Sequence, residues 1–139
     1  METKAPAGHA KLGVILTFLS LIGMVWIFEW SSAHLWTPFI IIAEFILAII
    51  FIVGFIIGAV KTGSWKFTHK TTKNLTEQEA VIANSALRLG YSIFSISVLI
   101  LLLIFAIVHK PVSIVLAVAL ILLAHLIPVS IIAWKTKQK

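Results

Sequence analysis

Apolar residues in this chain run in long unbroken blocks, and the polar residues gather in the gaps between them. Four blocks reach about the 20 residues that a helix needs to cross roughly 30 Å of hydrocarbon. They cover residues 12–30, 38–60, 90–109 and 112–134. None alternates residue by residue as a lipid-facing barrel strand does, so the pattern predicts helices, each satisfying its own backbone. Pro38 opens the second span and Pro111 just precedes the fourth, where a missing N–H costs least. Pro128 lies inside the fourth span and withdraws the helical donor from the Ala124 carbonyl.

The polar gaps differ in length. Two are short turns, and the third is a segment of about 61–89 between the second and third spans. Its second half carries a helix start: Thr76 followed by Glu77, Gln78 and Glu79 is the capping-box pattern, with acids at the positive end of the dipole. A helix from Glu77 running unbroken to about His109 would be roughly 50 Å long and would extend three to four turns beyond the hydrocarbon. The expected fold class is an all-α, integral membrane four-helix bundle, built over 1–139 as one domain from two hairpins.

Composition agrees. The chain is 60% hydrophobic and 12% charged, with a mean hydropathy of +1.11. Ordinary soluble domains are about 45–50% apolar and about 25% charged. A soluble enzyme, a disordered chain and a fibrous repeat are thereby excluded. There is no cysteine, so disulfides, thiolate metal sites and cysteine nucleophiles are excluded too. The first span follows Lys4 and Lys11 like a signal peptide, but its apolar stretch exceeds the about 7–15 residues of such a segment.

The basic residues assign an orientation. Lys4 and Lys11, then Lys61, Lys66, Lys70, Lys73 and Arg88, then Lys135, Lys137 and Lys139 fall on one side of the four spans. Lys110 alone falls on the other. The positive-inside rule therefore puts both termini in the cytoplasm, as expected of a multi-pass cell-membrane protein. Trp30 and Trp36 mark the outer interface, Trp65 and Trp134 the inner one. The net charge of +6 is accounted for by topology and anionic lipid, with no nucleic acid among the expected partners. Arg88, Lys61, Lys66, Lys70 and Lys73 are the candidate lipid or partner contacts.

Ionisable groups inside a membrane are costly and so mark candidate sites. Glu44 lies in the second span, roughly 7–8 Å outward of its middle. Trp26, at the same depth on the first span, is its expected hydrogen-bond donor. His125 lies near the middle of the fourth span, with Ser95 and Ser97 of the third span as expected partners. The other histidines, His9, His34, His69 and His109, fall at interfaces or in loops, so an axial haem pair within the chain is not expected. Gly54 and Gly58 form a GxxxG spacing suited to close helix packing, within the chain or between copies. Glu29, beside Trp30 at the outer boundary, is read as an ordinary interfacial residue. Asn74-Leu75-Thr76 has the form of a glycosylation tripeptide, but on the cytoplasmic side it is the approach to the helix cap.

Glu77-Gln78-Glu79 through Ile82, Ala86, Arg88 and Tyr91 resembles a feature of small uncharacterised four-span membrane proteins of bacteria and archaea. In those, an acidic helix start precedes an alanine, a basic residue and an aromatic ahead of the third span. Gln78 stands here where arginine is common. The resemblance implies the two-hairpin architecture and no particular activity. Small multidrug transporters, similar in size, carry their glutamate in the first span and often insert both ways, unlike this chain.

No glycine-rich phosphate loop, no His-Glu-x-x-His, no serine elbow and no intramembrane acidic pair occurs. The expectation is a non-enzymatic accessory, regulatory or immunity-type subunit, working by helix–helix contacts with other membrane subunits or with its own copies. Neither a metal nor a cofactor is expected. The alternative is a small oligomeric proton-coupled transporter or channel using Glu44, and a third reading is a haem- or quinone-associated subunit using His125.

Overall fold

A computed structural model describes residues 7–69 and 75–135. Helix α1 spans Ala7–Ser32 and α2 Pro38–Phe55, continued by a π-helical turn Ile56–Val60. A short α3 covers Ser64–His69, α4 runs Glu77–Ile107 and α5 Ile114–Lys135. No strand occurs among the described residues. Four of these helical segments are long and apolar enough to cross a membrane. The protein is an all-α four-helix membrane bundle.

Local chemistry places the helix ends. Thr37 caps α2, its hydroxyl accepting from the Ile40 N–H at 3.4 Å, and Pro38 occupies the first turn. At α4 the capping box forms in full: Thr76 Oγ1 accepts from Glu79 N–H, and Glu79 Oε2 accepts from Thr76 N–H at 3.0 Å. The 31-residue α4 that follows is the long helix the sequence predicts. Its other end closes in a Schellman pair: Lys110 N–H reaches the Phe105 carbonyl at 2.9 Å and His109 N–H the Ala106 carbonyl at 3.2 Å. His109 sits there at φ +52°, a left-handed position that usually falls to glycine.

The helices pack in a sequence. α1 lies against α2 on one side and α5 on the other, and α4 lies against α5. The two antiparallel hairpins therefore meet along α1 and α5, while α2 and α4 flank them with most of their surface uncovered. Lys11 over the Trp134 ring at 5.1 Å marks one end of the α1–α5 contact, and Glu29 bonded to Ser113 marks the other. We call these the terminal end and the turn end.

Glycine sets the hairpin contacts. A Cβ on Gly13 would stand 2.4 Å from the Gly58 backbone nitrogen, and one on Gly54 2.9 Å from the Thr17 nitrogen. The GxxxG pair of α2 is thus spent within the chain, against Gly13 and Thr17 of α1. Thr17 returns its hydroxyl to the Gly13 carbonyl at 2.8 Å, so the polar group at the seam is satisfied within its helix. In the other hairpin, a Cβ on Gly90 would meet Pro128 Cγ at 2.7 Å. The proline ring that interrupts α5 is seated against a glycine of α4.

The segment after α2 is more ordered than the loop its composition suggests. Lys61 N–H bonds the Ile56 carbonyl at 2.9 Å, the wide spacing of a π turn. Thr62 Oγ1 donates to the Gly58 carbonyl at 2.9 Å and contacts the buried Ser64 hydroxyl at 2.8 Å. Gly63, at φ +73°, then turns the chain into α3, which crosses to α5 and α4. The start of α4 is correspondingly not a free projection. Ala83 and Ala86 are buried, in a helix packed on α5 and α3.

Candidate functional site

Glu44 is half-buried on α2, and its Oε1 is buried with no hydrogen-bond partner. The expected donor does not serve it. Trp26 is 74% exposed and lines a groove formed with α4 and α5, whereas Glu44 stands on α2. The antiparallel pairing of Gly13 with Gly58, and of Gly23 with Leu47, does bring Glu44 to the level of Trp26 and Ile27. Depth was legible in the sequence; direction around α1 was not.

His125 is also partnered differently from its expectation. Its Nδ1 bonds the Ile121 carbonyl of its own helix at 2.9 Å, while Ser95 and Ser97 are exposed on α4 and make no bond to it. The ring instead lies nearly parallel to His69 of α3, with centroids 5.9 Å apart. His69 in turn stacks on Trp65 at 3.9 Å, and Trp65 meets Phe55 edge-on at 5.2 Å. The sequence leaves His69 in a loop, but the π turn and Gly63 redirect the chain so that α3 carries it to α5, where the two rings stack rather than face each other as an axial pair would. Thr68 donates its hydroxyl proton to the Trp65 carbonyl, so His69 Nδ1 is the donor in its own contacts with Thr68 Oγ1 and the Trp65 carbonyl. Both imidazoles therefore carry a proton on Nδ1.

The turn end holds a polar cluster that the sequence reading passed over. Glu29 of α1 pairs with Lys110 at 2.9 Å and accepts from Ser113 Oγ. Ser113 Oγ also accepts from the Leu116 N–H at 3.0 Å, capping α5. One carboxylate thus fastens the first helix to the turn between the last two. Beside it, His34 stacks on Trp30 with centroids 4.5 Å apart and bonds the Trp30 carbonyl through Nδ1 at 2.8 Å. Below this cluster, α1, α4 and α5 enclose a groove of about 600 Å³ walled by leucines, Val25, Phe105 and Trp26.

The remaining expected contacts are at the surface. Arg88 is exposed beside Asn84 and Ser85 with no acid paired to it among the described residues. Lys61 and Lys66 are exposed, and Lys70 and Lys73 lie outside the described residues, as does Asn74. Among the described residues no group of three or more metal-binding side chains occurs.

No family model, curated protein or solved structure matches this chain. Its functional reading rests on the geometry above.

Proposed function

We propose that this protein is a multi-pass accessory or regulatory subunit of the cell membrane, acting through contacts between α2 and a helix of another membrane protein. Glu44 carries the reading. A polar group left unpaired in hydrocarbon costs several kcal/mol, by order of magnitude, so such a group is retained where something outside the chain satisfies it. Glu44 has a buried oxygen without a partner and sits on a flanking helix whose one extensive contact is with α1. Because Oε1 is enclosed by the chain's own atoms, a donor side chain from a neighbouring helix would complete the carboxyl once it rotates toward the uncovered side of α2. The basic residues along one side support an orientation with both termini in the cytoplasm, in which Glu44 lies in the outer half of the bilayer.

The same carboxyl supports a second reading, an oligomeric proton-coupled transporter in which Glu44 takes and releases the transported proton. One substitution separates the two. Glu44→Gln keeps a hydrogen-bonding side chain but removes the titrating group. Under the accessory reading, the Gln variant still copurifies with its partner at near wild-type yield, while Glu44→Leu loses it. Proton flux in liposomes from wild-type protein alone, abolished in Glu44→Gln, would overturn the accessory reading in favour of transport.

A further inference from the structure

The groove at the turn end is shaped for a lipid, and its rim is charged. Its apolar walls extend from the level of Lys110 down to Leu21 and Leu123. From Glu29 to Leu21 along α1 is a depth of roughly 12 Å at the helical rise. Trp30 and Trp36, both about half exposed at this end, are the residues that settle at headgroup level. The rim is therefore where a phospholipid changes from chain to headgroup.

Chain burial alone selects nothing, since lipid tails are as apolar as leucine and gain no hydrophobic energy by leaving the bilayer. Selection has to come from the rim. Lys110 has three N–H donors, spends one on Glu29 and is 46% exposed, which leaves donors for a phosphate oxygen. Glu29 accepts from Ser113 and Lys110, one per oxygen, and each oxygen retains a second lone pair. The rim thus offers donors and acceptors side by side with no net charge from the Glu29–Lys110 pair.

We propose that this groove binds one acyl chain of a zwitterionic phospholipid bearing a primary ammonium, of the phosphatidylethanolamine type. The phosphate accepts from Lys110, and the ammonium donates to the carboxylate of Glu29. A quaternary choline headgroup has the same charge but no N–H to donate, and a glycerol headgroup carries a net negative charge without a cation. The site is distinct from Glu44 and does not depend on the reading given to it.

The test is lipid retention by the full-length protein. Wild-type protein is exchanged into mixed micelles containing phosphatidylethanolamine, phosphatidylcholine and phosphatidylglycerol with identical chains, and bound lipid is counted by native mass spectrometry. The expected result is one tightly held phosphatidylethanolamine, favoured about tenfold over phosphatidylcholine, the ratio that one charge-assisted hydrogen bond supplies. Glu29→Gln is expected to bring that ratio near one while the protein still binds lipid. Equal retention of the ethanolamine and choline lipids by the wild type would overturn the proposal, leaving only unselective bulk lipid. A preference for the glycerol lipid would overturn it as well, because the rim would then be reading negative charge. The wild-type comparison stands even where a variant fails to fold.

Discussion

Glu29 on α1 and Lys110 in the α4–α5 turn form an ion pair of 2.9 Å that joins the first helix of the bundle to the last hairpin. Lys110 is held there by the Schellman closure of α4, and Glu29 is held by Ser113, which at the same time caps α5. The pair is a clasp between elements distant in sequence. A double-mutant cycle of Glu29→Gln and Lys110→Met, read by thermal unfolding in detergent, should give a coupling of about 1 kcal/mol, typical of a partly exposed pair. A coupling indistinguishable from zero would mean that the contact contributes nothing to holding the hairpins together.

The clasp depends on a strained residue. His109 occupies a left-handed backbone position that costs a non-glycine residue about 1–2 kcal/mol. His109→Gly should therefore stabilise the protein by about 1 kcal/mol, somewhat less than the relieved strain because glycine is freer in the unfolded chain. A loss of stability would show that the His109 side chain makes a contribution larger than the backbone strain.

Close approach of α1 to α2 makes Gly13 the least tolerant of the helix glycines. A methyl group there meets the backbone of Gly58 at 2.4 Å and of Gly54 at 2.9 Å, with no flexible side chain to move aside. Gly13→Ala should destabilise by about 1–3 kcal/mol, as overpacking does. Gly8→Ala, in the same helix with open space around it, should be neutral or slightly stabilising. Equal effects at the two sites would mean that the helices do not approach as described.

Gly90 and Pro128 give a reciprocal test in the other hairpin. Gly90→Ala drives its methyl into the proline ring at Cγ and Cδ. Adding Pro128→Ala removes those ring atoms and restores a helical donor, so the double variant should be more stable than Gly90→Ala alone. Additive losses, with no recovery, would show that the ring is not what Gly90 accommodates.

What the sequence revealed and what it hid divide by range. The four spans, the cap at Thr76 and Glu79, and the unbroken α4 follow from patterns within a few residues of each other, and the structure has them all. The depth of Glu44 was readable for the same reason, because rise per residue is uniform along a helix. Whether Trp26 faced Glu44 was not readable, because it turns on the rotation of α1 between α2 and α5. The partner of His125 was hidden by a different cause. A π turn and a single positive-φ glycine redirect the chain after α2, and neither announces itself in composition. Gly54 and Gly58 stand out as a motif, and Gly13 and Thr17, the residues they pack against, carry the same small-xxx-small spacing in a less conspicuous form, with a threonine in place of the second glycine. Glu29 looked ordinary because its partners lie on the far hairpin.

The unpaired carboxyl of Glu44 remains the centre of the functional reading, and it is best tested in the membrane itself. A photocrosslinking residue placed at Phe45, exposed on α2 beside Glu44, should capture one discrete membrane polypeptide in intact cells. The adduct should persist in Glu44→Gln and disappear in Glu44→Leu. Adducts with lipid alone, or an adduct between two copies of this chain with no other polypeptide, would contradict an accessory role exercised through α2.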